Sequence, residues 1–301
     1  MCADCSGKPA SAAWPPRRTW PDGHALARGR SGHRRNELAP VTAVDPVRYS
    51  RHLALPQVGA DGQRRLERSS VLVVGLGGLG SVASLYLANA GVGHLVINDF
   101  DRVDATNLPR QILFRETDVG EYKTHATAER LRAANPAPRV NVLNRRLDAD
   151  ELRDAVGACG LVLDCTDNFP TRLQLNAACV ATRRPLVTGA AIRLEGQVAV
   201  FPNDDTAGPC YRCLYSDEDE NFANCAGQGI LAPVAGTIGA LLATEALKLL
   251  LGLESGLRNR LWAYDALSGA TRSVAIRKSP DCPVCAGPAA GAASAATDRR
   301  E

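Results

Sequence analysis

One stretch restricts this chain more than any other. VLVVGLGGLGSVASLYLANAGVGHLVINDFD, residues 71–101, reads as a buried strand, a glycine turn, a helix and a second strand ending in acids. Four successive apolar residues, Val71, Leu72, Val73 and Val74, suit a parallel strand covered on both faces. Gly75, Gly77 and Gly80 fit G-x-G-x-x-G, and Gly78 adds another position without a side chain, so the backbone can press against a ligand. A helix opening at about Gly80 would aim unpaired N–H groups and the positive end of its dipole at the turn, which favours phosphate. Asp99 falls where such βαβ units place an acid for ribose hydroxyls. On these residues alone an NAD(P)-dependent oxidoreductase is as good a reading as any other nucleotide enzyme.

The alternation continues downstream. Residues 95–98 form the second strand of the unit, VDATNLPRQILF is a loop, and VGEYKTHATAERLRAANP is a helix ended by Asn135 and Pro136. Strands are predicted at residues 139–143, 161–168 and 185–192, separated by the helical patterns DADELRDAV and TRLQLNAACVATR. Strand and helix in turn call for an α/β fold: a doubly wound, mostly parallel, Rossmann-like sheet. From Arg193 onward LEGQVAVFP and the pair around the Ser-Gly turn in LWAYDALSGATRSVAI predict an antiparallel C-terminal extension. Upstream of the first strand, residues 46–69 read as short helical pieces.

A net charge of +3, from 35 basic and 32 acidic residues, gives no electrostatic case for nucleic acid or an anionic membrane. Residues 231–253 are apolar enough to resemble a membrane span, but Glu245 and Lys248 would each cost about 2.5 to 3.5 kcal/mol near a bilayer centre, so a buried core helix is expected. Residues 1–45, rich in Pro, Arg, Ala and Gly without an apolar segment, and residues 287–301 are expected to be disordered tails around one domain at 46–286. Ten cysteines without a secretion signal point to a reducing cytoplasm. Cys159, Cys165 and Cys179 sit in apolar runs as small core residues. Cys210-Tyr-Arg-Cys213 and Cys282-Pro-Val-Cys285 have the spacing at which four thiolates close a tetrahedral, structural zinc site. Cys2-Ala-Asp-Cys5 is read as fortuitous.

The charges beyond Asp99 turn the choice of nucleotide. Asp101, Asn107, Arg110, Lys123 and Asp167 place two cations, an amide and two acids on loops that converge at the carboxyl edge of a doubly wound sheet. That set suits a triphosphate with magnesium: the cations hold phosphate oxygens and an aspartate ligates a metal that keeps several waters.

Together RYSRH, VGLGGLGS, NDFDRVDATNLPRQILF, VGEYK, DCTDN and the paired C-x-x-C motifs resemble the bacterial sulfur-carrier adenylyltransferases of the ThiF/MoeB/HesA family, relatives of the ubiquitin-activating enzymes, from about residue 49 to 285. The resemblance implies ATP and magnesium as cofactors, zinc on the four cysteines, and a ubiquitin-like carrier partner whose C-terminal Gly-Gly carboxylate is activated as an acyl-adenylate. It also implies residue roles. Gly78 would lie against the nucleotide, Asp99 would hold the ribose, and Thr106, Asn107, Leu108, Pro109 and Arg110 would form the nucleotide loop. Lys123 would hold phosphate, Asp167 magnesium, with Asn168 beside it, and Arg51 would reach the ATP of the partner in a homodimer. Pro109 departs from the glutamine usual there and removes a backbone N–H.

Cys225 follows an acidic loop, a setting that lowers a thiol pKa, and by position resembles a cysteine that relays sulfur or bonds to the carrier in some relatives. With no rhodanese-like segment after Cys285, a separate sulfur donor such as a cysteine desulfurase or a rhodanese is expected. GAAIRLEGQVAVF leans towards the molybdopterin-synthase enzyme, whereas the longer CLYSDEDENFANC loop suits the thiamine one. Two rivals stay open: the oxidoreductase, and an inactive scaffold that holds a ubiquitin-like protein.

Overall fold

Strand β1 (Ser70–Val74) lies at the centre because nothing in it needs water: Val71, Leu72 and Val73 are fully buried, as its parallel neighbours on both sides require. The computed structural model describes residues 44–204, 207–215 and 229–286. Around β1 run helices α1 (Ser50–Leu53), α2 (Gly59–Glu67), α3 (Gly78–Asn89), α4 (Lys123–Ala134), α5 (Ala149–Ala158) and α6 (Phe169–Thr182), with strands β2 (His94–Asn98), β3 (Arg139–Leu143), β4 (Leu161–Asp164) and β5 (Leu186–Ile192). Strand β6 (Glu195–Phe201), helices α7 (Tyr211–Leu214) and α8 (Ala232–Leu251), and strands β7 (Arg260–Asp265) and β8 (Ala270–Ala275) complete it. The eight strands form one sheet in the order β3-β2-β1-β4-β5-β6-β7-β8. β1 to β5 are parallel and β6 to β8 antiparallel, as the sequence predicts. The order reverses between β1 and β4. There the chain leaves in opposite directions from two adjacent strands and opens a crevice.

Several boundaries differ from the sequence reading. α3 begins at Gly78, not near Gly80, so the glycine turn is two residues tighter. α4 begins at Lys123, after a turn in which Gly120 takes φ +90° and Tyr122 bridges to Arg102. β4 stops at Asp164 rather than running to Asn168, because the side chain of Asp164 turns back on its own exit: Oδ1 accepts from the Thr166 N–H at 3.0 Å and the Thr166 hydroxyl at 2.7 Å, and Oδ2 accepts from Thr188 at 2.7 Å. This buried carboxyl is a brace and leaves Asp167 on a loop.

α8 is the apolar segment at residues 231–253. It is the one helix among the described residues long and apolar enough to cross a membrane, and it packs against α3 and the sheet as a core helix. Its acid is accounted for: Glu245, 3% exposed, accepts from Lys248 at 2.8 Å and Ser255 at 2.6 Å. The α3–α8 approach is close enough that a Cβ on Gly239 would sit 2.6 Å from the Leu79 carbonyl oxygen.

Candidate nucleotide and metal sites

The crevice at the β1–β4 switch point is a cavity of about 1160 Å³. Its floor is the turn after β1. Gly75 takes φ +87°, and a Cβ there would meet the Cys165 carbonyl oxygen at 2.7 Å, so only glycine fits. At Gly77 a Cβ would meet Gln111 Nε2 at 3.8 Å, an ordinary contact, while Gly78, which also lines the cavity, has a packing reason to be glycine: a Cβ would lie 2.9 Å from Ala235 of α8. Gly80 does not line the cavity; it lets α3 pass over the turn, since a Cβ there would overlap the Gly75 carbonyl oxygen. Gly80→Ala should therefore cost at least about 1 to 3 kcal/mol, the usual range for overpacking, and more if the backbone cannot yield. Urea unfolding reads this directly, and an unchanged midpoint would contradict it.

Asp99 ties the end of β2 to that turn. Its Oδ2 accepts from Leu76 N–H at 2.7 Å and its Oδ1 from Asp101 N–H at 2.8 Å, leaving lone pairs towards the cavity it lines. Burial raises its pKa, partly offset by Lys123. Lys123, itself buried, sits at the first position of α4 and donates through Nζ to Asp101 Oδ2 at 2.9 Å. Arg110 lies across the cavity on the loop after the 3-10 turn Ala105–Asn107, its guanidinium donating to the Thr106 carbonyl at 2.9 Å. That turn is held by Asp104, whose Oδ1 accepts from Thr106 N–H at 2.8 Å while Asn107 Oδ1 accepts from Asp104 N–H at 3.2 Å. Asp167 is exposed on the opposite rim, and Asn168 beside it caps α6 by accepting from Thr171 N–H at 3.0 Å.

Gly75, Gly77, Gly78, Asp99, Asp101 and Lys123 thus share one cavity with Thr106, Asn107, Pro109, Arg110, Asp167 and Asn168. Besides Gly80, two expected members do not line it. Leu108 instead packs against a small core of Val103, Leu113, Phe114 and Ala126, because an apolar side chain on a loop finds that cluster first. Arg51 is exposed on α1, outside the cavity. Cys225, the acidic stretch at 217–220, Cys2 and Cys5 fall outside the described residues.

The four C-x-x-C thiols do converge. Cys210, Cys213, Cys282 and Cys285 place their Sγ atoms all within 4.8 Å of one another, with Cys210 to Cys282 at 3.7 Å and Cys213 to Cys285 at 3.4 Å. Four such sulfurs, two of them buried, repel one another as thiolates unless a cation sits among them, and the all-sulfur donor set fits zinc.

A model of the ThiF family matches residues 49–284. The chain belongs to the ThiF family. It is 46% identical over 243 residues to the sulfur carrier protein ThiS adenylyltransferase of Escherichia coli K12, covering 81% of this chain and 96% of that one. It is 44% identical over 248 residues to the molybdopterin-synthase adenylyltransferase of the same organism, covering 82% and 99%. Among solved structures, Escherichia coli MccB with ATP aligns with a TM-score of 0.69 at 25% identity, covering 81% of this chain and 75% of that one.

Within this ThiF-family site, sequence reasoning missed three side chains. Arg172, buried on α6, donates to the carbonyls of Thr166 and of Gly189, the latter at 3.0 Å, and lines the cavity between the β4 and β5 exits. Gln111 is 3% exposed and its Oε1 has no partner among the described residues. Arg146 stacks over Phe100 at 3.9 Å. Arg172 alone left a trace in the sequence, a cation one turn into a helix, on the face it shares with Asn168 and Asn176.

The Asp99 shift predicts a pH dependence. If Asp99 takes the ribose, only its ionised form can accept from both hydroxyls, so ATP binding should weaken as pH falls, with a midpoint above the ordinary 3.8 because burial favours the protonated form. The same shift makes the carboxyl a stability cost as pH rises through that midpoint, since the fold then holds a buried charge. Calorimetric ATP titrations on wild type and Asp99→Asn across pH check this: the inflection should vanish in the variant, and its persistence would assign it elsewhere.

Proposed function

We propose that this chain is an ATP-dependent adenylyltransferase that converts the C-terminal glycine carboxylate of a ubiquitin-like sulfur-carrier protein into an acyl-adenylate. The observation that carries this reading is the meeting of the α3 N-terminus, Lys123, Arg110, Asp99 and Asp167 around one cavity at the sheet's switch point. ATP lies with its ribose on Asp99 and its phosphates between the glycine turn, Lys123 and Arg110. A carrier carboxylate oxygen attacks the α-phosphorus, the bond from that phosphorus to the bridging β-phosphate oxygen breaks, and pyrophosphate leaves. The attacking carboxylate is already ionised at neutral pH, so no general base is needed. What opposes the step is the approach of two anions, and this chain's fixed cations and helix N–H groups offset it. Holding the tail in line removes on the order of 7 to 11 kcal/mol from the barrier.

Asp167 is the residue for magnesium, which when bound supplies further charge neutralisation to the phosphates. The tail enters through an adjoining cavity of about 680 Å³ that shares Asp167, Arg172, Ala190 and Ala191 with the first and is walled by Phe169, Tyr211 and Tyr215. The four cysteines hold zinc, the enzyme works in the cytoplasm as a homodimer in which Arg51 serves the partner's site, and a separate donor provides sulfur. The relatives matched are named for adenylyl transfer, not for nicotinamide chemistry, and the assembled charges favour turnover over a scaffold role.

Incubation of the protein with ATP, magnesium and each Gly-Gly carrier, followed by mass spectrometry, tests this. One adenylyl increment on the carrier's terminal glycine is expected, more readily on the molybdopterin-synthase carrier. No increment on any diglycine-ended carrier would defeat the reading.

A further inference from the structure

α6 begins at the cavity rim and ends beyond the metal cluster. Asn168, Arg172 and Asn176 recur along it at the four-residue spacing of one helix face. Asn168 caps the helix, Arg172 braces the β4 and β5 exits, and Asn176, 0% exposed, reaches α7. There its Oδ1 accepts from Tyr211 N–H at 2.9 Å, and its Nδ2 lies 3.5 Å from Cys210 Sγ. A backbone N–H can only donate, so the amide oxygen must face Tyr211, which turns the NH₂ group onto the sulfur.

We propose that Asn176 is a positioning residue for the four-cysteine metal site, its N–H···S bond orienting Cys210 and fastening the metal cluster to α6. The inference rests on zinc occupying that cluster and not on adenylation. Cys210 is 1% exposed, so water cannot replace this donor, and a metal-bound sulfur keeps negative charge that a hydrogen bond stabilises. The bond to Tyr211 extends the effect. Tyr211 packs against Phe169 at 6.3 Å and Tyr215 at 4.9 Å, so the asparagine also sets the aromatic wall of the second cavity. Metal, α6 and that wall are thereby one unit.

Zinc affinity of the whole protein, measured by competition with a chelating dye, tests this. Asn176→Asp keeps the side-chain shape and the acceptor for Tyr211 N–H but loses the donor to sulfur, and should bind zinc on the order of 10- to 100-fold more weakly. Asn176→Leu loses both bonds and should be weaker again. Affinity unchanged in Asn176→Asp would overturn the proposal. A measurement on wild type covers the case in which the variants do not fold: with spin-active cadmium in the site, the Asn176 side-chain amide proton should couple to the metal across the hydrogen bond, and absence of coupling would likewise overturn it. Neither readout needs ATP or carrier, so a failure of adenylation and a failure of this inference are separate results.

Discussion

Lys123→Ala should lower carrier-dependent ATP–pyrophosphate exchange by at least about a hundredfold, the cost of losing one preorganised charge donor in a shielded site. The expectation comes from how poorly the lysine suits its place on structural grounds. It is 7% exposed and opens helix α4, where the positive end of the helix dipole disfavours a cation. Its only side-chain hydrogen-bond partner among the described residues is Asp101, which is half exposed, and the buried Asp99 carboxyl feels its charge without a direct bond. A buried ammonium held against the dipole is a local cost, recovered when a polyanion enters the cavity. Removal should therefore leave the fold nearly untouched: the partner left behind faces solvent, and ion pairs of that kind contribute about 0 to 1 kcal/mol. Thermal unfolding alongside the exchange assay separates the two. A variant that exchanges pyrophosphate at near wild-type rates would remove Lys123 from the phosphate site.

Stripping the metal should have the second large effect, on stability. The cluster joins the α6–α7 region to the segment after β8, residues far apart in sequence. Burial raises the Cys210 thiol to about 11, whereas at Cys282 burial is outweighed by the backbone N–H groups of Cys285 and Val284 together with the Cys285 and Cys210 thiols, which draw it down to about 7. Without a cation such a set stays partly protonated, so metal binding releases protons and acid favours loss of metal. A zinc supply a thousandfold above its dissociation constant stabilises by about 4 kcal/mol, which for a domain of this size corresponds to a fall of about 8 to 16 °C in Tm on chelation. Calorimetric scans with and without a chelator, with zinc assayed by elemental analysis, check this. Cys282→Ser should behave as the chelated protein does, and a Tm insensitive to chelation would contradict a structural metal.

Much of this was legible in the residues. Val71 to Val74 could only be a buried parallel strand, the glycines after it could only be a close turn, and the alternation downstream predicts the mostly parallel sheet with antiparallel C-terminal strands that is seen. The C-x-x-C pairs converge as their spacing requires. What the sequence could not reveal is where side chains turn. Asp164 and Asp167 read alike as acids at a strand end, yet one folds back on Thr166 and Thr188 and the other faces the cavity. Leu108 lies inside the expected nucleotide loop but is drawn to an apolar cluster formed by residues up to 18 positions away. Gly78 and Gly80 sit in a nucleotide fingerprint, and their strictest constraints are Ala235 and the Gly75 carbonyl, contacts of packing and not of ligand. Arg172 and Asn176 matter through partners on β5 and α7, distances that no local pattern encodes.

The central claim is that the glycine turn and its surrounding cations bind ATP so that a carrier's terminal carboxylate attacks the α-phosphorus. Exchange of labelled pyrophosphate into ATP, with and without a diglycine-ended carrier, tests it most directly. Label should enter ATP only when the carrier is present and its terminal glycine intact. Exchange that is absent with every such carrier, or that proceeds equally with a carrier lacking that glycine, would contradict it.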